Sequence, residues 1–159
     1  MALDTTALNS AGIGAGTAVQ AAVEGRANIF EMTQAAEEAV LRPKDAGPWS
    51  HELRAALAAR IAKLNEEAEL AARYAADAGN YAALVDPTEN GTAQDLAEVV
   101  GFMDKVAADT RRVAGADISG LQSAGVADAD IVRLAELNAF LAYQIRVIAG
   151  LRLMKGMSA

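Results

Sequence analysis

From Leu134 to Met154 the chain is strongly apolar and carries no proline, and a proline-free run of that length predicts one long helix. Glu136, Asn138, Gln144, Arg146 and Arg152 lie within it. That is too polar for a membrane span, because each such side chain is costly in hydrocarbon. The expectation is a central helix surrounded by protein.

A helix of that kind needs helical neighbours, and the rest of the chain supplies the material for them. In 159 residues there are 3 prolines and 4% aromatics, while hydrophobic residues, many of them alanine, make up 53%. That mixture favours closely packed helices over sheets. The length fits one core, so the sequence predicts an all-α, single-domain helical bundle of about five or six helices.

Local signals place the helices. Residues 1–16 are small, polar and glycine-spaced and read as an irregular N-terminal arm, leaving 17–159 as the helical domain. Thr17 and Gln20 fit a capping box that opens a helix running to about Leu41, before Pro43 stops it. Ser50 fits the cap of the next helix, in which Leu53, Leu57, Ile61 and Leu64 share one face. That helix is expected to continue through Leu70 and Tyr74 to Gly79, ahead of a loop at 86–91. Thr92 then caps a helix with Leu96, Val99, Val100, Met103, Val106 and Ala107 inward, ending near Gly115. Asp117 and Asp128 are the caps expected for a short helix and for the long final one.

Charge narrows the function. A net charge of −7 and a pI near 4.7 leave no basic stripe, which excludes nucleic acid and argues against anionic membranes. With no cysteine there is no thiolate nucleophile, no disulfide and no Cys-ligated zinc. The N-terminus lacks the charge and apolar run of a signal peptide, so the cytoplasm is the expected compartment.

Four groups of residues invite a chemical reading. Gly12, Gly14 and Gly16 precede a helix, as phosphate-binding glycines do, but no strand comes before them, and a flexible arm is the better reading. His51 stands beside Glu52, yet position 55 is Ala55 where a zinc-binding helix needs a second histidine; an exposed role is expected. Glu66, Glu67 and Glu69 could attract a hard cation, but only Glu66 and Glu69 share a helix face, which favours a solvated or inter-subunit surface. Tyr143, Gln144 and Arg146, with Glu136 and Asn138, are polar groups in an apolar helix, and form either a structural network or the wall of a pocket.

Two stretches carry a resemblance to a known family. SHELRAALAARIAKLNEEAELAARY, from Ser50, and DISGLQSAGVADADIVRLAELNAFLAYQIRVIAGLRL, from Asp117, resemble the carboxymuconolactone decarboxylase-like superfamily, which includes the alkylhydroperoxidase D proteins. The more specific match is the opening at Ala124 to Val132 together with the ending at Tyr143 to Leu151, and the likeness spans roughly Ser50 to Leu153. The resemblance implies an all-α fold that assembles into dimers or larger oligomers. It also implies a thiol relay of two cysteines, a histidine and a glutamate. Carried over, the cysteines fall at Glu67 and Leu70, the histidine at Tyr74 and the glutamate at Ala55. None of the four is kept, so the chain resembles a Cys-less branch, and thiol peroxidase activity is not expected.

Two functions follow as expectations. One is a non-catalytic, oligomeric scaffold, alone or beside a thiol-bearing relative, with no cofactor and no metal. The other is a small-molecule binder or a thiol-independent enzyme of the decarboxylase or lactone type, using a residual pocket at Tyr74, Glu136, Tyr143 and Arg146, with Glu67 a further acid–base candidate.

Overall fold

A computed structural model of the chain describes residues 3–156. These form a single all-α domain of eight α-helices with three short 3-10 segments, and the described residues contain no strand. The count exceeds the expected five or six because long sequence-predicted helices are broken and a short one stands in the arm. That short helix, α1 (Thr6–Ala11), is capped by the Thr5 hydroxyl and buries Ala7, Leu8 and Ala11 against the core. The arm is therefore partly helical and packed.

The expected helix from Thr17 to Leu41 is two helices, α2 (Ala18–Glu24) and α3 (Ala27–Leu41), separated at Gly25 and Arg26. The Thr17 hydroxyl accepts the Gln20 N–H at 3.1 Å as the capping box requires. The return bond differs, because the Gln20 carboxamide oxygen accepts the N–H of Gly16. Ser50 caps α4 (His51–Leu64) as expected, its hydroxyl accepting the Leu53 N–H at 3.1 Å.

The chain then breaks at Asn65, and Glu66 adopts a left-handed φ of 62° before α5 (Ala68–Ala75) begins. A 3-10 segment spans Gly79–Val85 and a second Thr92–Gln94, so Thr92 opens a 3-10 turn, and α6 (Ala97–Ala108) follows Leu96, four residues beyond the expected cap. Asp117 lies inside α7 (Gly115–Ser123) at its third position, where its carboxylate accepts the Ala114 N–H at 2.7 Å. Asp128 is the first residue of α8 (Asp128–Lys155).

The central helix is α4. Every residue from Leu53 to Ala62 is buried, and α4 packs against α3, α5, α6 and α8 and the Gly79–Val85 segment. Its alanines at 55, 56, 58, 59 and 62 let neighbours approach from all sides. Leu64 is only half-buried.

The long helix α8 has a different place from the one expected. By length and composition it could cross a membrane, yet it packs on α1, α2, α3, α4, α6 and α7 and buries Asn138 and Gln144, as a core helix does. Only one side is covered. Val132, Tyr143, Leu153 and Met154 are exposed, so α8 is flanked by protein and not surrounded by it.

Candidate functional site

The four positions matching the family relay are all buried, with Leu70 at 0% and Ala55 at 4% exposure. Ala55 and Leu70 offer only hydrocarbon. Glu67 and Tyr74 carry polar atoms, and both are engaged. Glu67 takes two hydrogen bonds from the Arg152 guanidinium, at 2.7 and 2.8 Å, while the second terminal nitrogen of Arg152 donates to the Ser10 carbonyl. This ties the start of α5 to the end of α8 and to α1, and engages both carboxylate oxygens in a structural ion pair.

Tyr74 sits at the centre of a buried polar cluster that joins α3, α5 and α8. Its hydroxyl lies 2.6 Å from Gln144 Oε1 and 3.1 Å from Glu37 Oε1, and Gln144 Nε2 donates to Glu37 Oε2 at 3.1 Å. Burial, followed by the neighbouring Glu37 charge, pushes the Tyr74 phenol well above its ordinary range. A phenol held neutral in this way is a structural donor and a poor base. Gln144 was legible as a polar group in an apolar helix; Glu37, followed by Glu38 in an alanine-rich helix, gave no such signal.

The other expected pocket residues do not join Tyr74. Glu136 and Arg146 are exposed on α8, and Tyr143 is 43% exposed with its hydroxyl 3.0 Å from Thr33 Oγ1 on α3. Arg146 touches only a small cavity of about 70 Å³, shared with Asn138, Asn65 and Thr110. Asn138 is buried, as expected of a structural polar group, and donates to the Met103 carbonyl at 2.9 Å. The residual pocket is thus divided between a filled interior and an open face.

Two buried arginines on α4 were not anticipated. Arg54 donates to the carbonyls of Trp49, Val40 and Ala46, each at 2.9 Å, and so shapes the connector between α3 and α4. Burial, with the nearby Arg133 charge, holds its pKa below the usual guanidinium value. Arg60 forms a two-point pair with Asp104, at 2.6 and 2.7 Å, and donates to the carbonyls of Leu84, Asp86 and Pro87. The signal was present, since an arginine within an alanine-rich run that is apolar on every side must bring its partners with it.

His51 is exposed, with Nε2 2.9 Å from the Pro43 carbonyl. Gly12 closes α1 in a left-handed conformation, and Gly14 and Gly16 are exposed. Glu66 and Glu69 are exposed, and among the described residues no group of three or more His, Asp and Glu side chains is placed to hold a metal ion.

A separate open volume lies elsewhere. A cleft of about 480 Å³ lies between the connector at Pro48 and Trp49, the start of α6 and the turn from α7 to α8. Leu96, Val99 and Val126 are among its apolar lining, and Asp95, Glu98 and Asp130 line it too. Two of these carboxylates belong to the first turns of α6 and α8, where they offset the helix dipoles, and Asp130 is also paired with Arg133 at 2.6 Å. The cleft has shape, and its ionisable lining is these three carboxylates, with no histidine, lysine or tyrosine beside them.

Comparison of the chain with protein-family models, with curated proteins and with solved structures gives no match.

Proposed function

We propose that this chain is a non-catalytic, self-associating helical scaffold, a Cys-less relative of the carboxymuconolactone decarboxylase-like proteins that acts as an oligomer or beside a thiol-bearing member of that superfamily. The observation that carries the reading is the set of large apolar side chains left in water: Met32 on α3, and Val132, Tyr143, Leu153 and Met154 on α8, between 43% and 62% exposed. An apolar face of this kind marks a surface that binds protein. The engagement of Glu67 and Tyr74 in structural bonds supports the non-catalytic half of the proposal.

A second reading rests on the cleft beside Trp49, whose volume and apolar lining suit a small molecule. Native mass spectrometry of the purified protein, set against the denatured sample, separates the two. The scaffold reading expects an oligomer of bare chains, or a complex with a second polypeptide. A monomer that loses one small molecule per chain on denaturation would replace it with the binder reading.

A further inference from the structure

The exposed face of α8 has a pattern that identifies its occupant, and the inference rests on the scaffold reading above. From Ala129 to Leu153 the residues along this face recur alternately three and four apart, as in the contact stripe of a coiled coil. The stripe covers about 36 Å of helix at 1.5 Å per residue. Its members are exposed apart from the half-buried Gly150. We infer that a second copy of this chain covers the stripe, its α8 antiparallel to the first about a two-fold axis that crosses the stripe midway between Ala139 and Tyr143, level with the buried Leu141.

The reason is that the stripe is complementary to itself in reverse. Residues equidistant from Leu141 face one another in such a pair. Ala139 and Tyr143 lie two residues on either side, so each tyrosine ring meets an alanine of the other chain. Glu136 and Arg146 lie five on either side, so opposite charges meet twice. Val132 faces Gly150, nine residues out, and Leu153 faces Ala129, twelve residues out. Each uncharged layer sets a large side chain on a small one. At Gly150 a methyl group would meet nothing within 4 Å in the single chain, which leaves an opening for the valine of the second copy.

A parallel pair would set Glu136 on Glu136 and Arg146 on Arg146, so charge selects the antiparallel arrangement. The seven-residue repeat agrees, because antiparallel coiled coils pair the two kinds of core position with each other, as every layer here does. Tyr143 is also pre-positioned, its hydroxyl tied to Thr33 at 3.0 Å, so little side-chain freedom is lost on association.

Charge reversal tests the pairing. In sedimentation equilibrium, Glu136→Arg and Arg146→Glu are each expected to weaken the dimer on the order of tenfold or more, since like charges then meet in two layers. Mixing the two variants is expected to restore wild-type affinity, because each chain then presents one charge throughout and meets its opposite. Both residues are exposed, so unchanged circular dichroism and melting of the dilute proteins are expected to accompany the loss. An oligomeric wild type that neither reversal weakens would overturn the α8 pairing while leaving the scaffold reading in place. A wild type that stays monomeric would overturn the α8 pairing and the self-association on which it rests, leaving of the scaffold reading only a complex with a second polypeptide.

Discussion

Tyr74 has one proton to give and two buried oxygens within reach, on Glu37 and Gln144, and the three side chains come from helices that have no local reason to meet. Tyr74→Phe would leave the other two partly unsatisfied in a dry interior, and should lower stability by about 1–3 kcal/mol in urea titrations. The same phenol sets an alkaline limit. Its folded pKa is raised above the ordinary 10.0, so its contribution is complete below that pH and is lost as pH rises beyond it, where the unfolded chain gives up the proton first. Stability should therefore decline above pH 10, and the Tyr74→Phe protein should decline less steeply over the same range. Arg60→Met would strand Asp104 and three carbonyls, and we expect a loss of about 3–5 kcal/mol. These partnerships were poorly legible in the sequence, because Glu37 and Gln144 stand 107 residues apart and nothing in either segment announces the other. Glu136 and Arg146 were expected near a pocket because they interrupt an apolar run. Alanine at 135 and 139 suits either side of a helix, so the run alone does not tell the wet face from the dry one.

Two of the expected helix caps hold, whereas Thr92, Asp117 and Asp128 give way to Leu96, Ala114 and Ala127. Thr17 and Ser50 cap the helices they were expected to cap, since a hydroxyl one residue ahead of a helix has an orphan N–H to satisfy. The breaks at Gly25 and at Glu66 were missed because the flanking residues are good helix formers on both sides, and tertiary packing decides where such a run folds back. Two glycines give opposite expectations. Gly101 lies on the exposed side of α6 with open space where a methyl would go, so Gly101→Ala should stabilise the protein by about 0.5–1 kcal/mol. Gly91 has a φ of 80°, and a Cβ there would stand 2.7 Å from Val100 Cγ2, on a β-branched side chain with little freedom to turn. Gly91→Ala should cost about 1–3 kcal/mol, and thermal melts of the two variants should move in opposite directions.

For the whole molecule, α4 is the axis and α8 the outer wall, with α1 and α3 fastened to that wall through Arg152, Thr33 and Gln144. The all-α class was legible from composition and periodicity. The exchange of roles between α4 and α8 was not, because α4 reaches its central place through small residues and two satisfied arginines while the more hydrophobic helix keeps one face in water. That open face is what makes the molecule a candidate for assembly. The chain contains no cysteine, so one introduced at a chosen site takes a spin label alone. Antiparallel pairing about Leu141 separates equivalent residues along the axis by about 3 Å for each residue from the centre, from the 1.5 Å rise of two helices. Dipolar distance measurements on the labelled Ala135→Cys and Met154→Cys proteins should therefore peak at about 20 Å and about 40 Å respectively. Nearly equal short distances at both sites would mean parallel helices, and the absence of any intermolecular distance would mean that the face of α8 stays bare; either result would contradict the account.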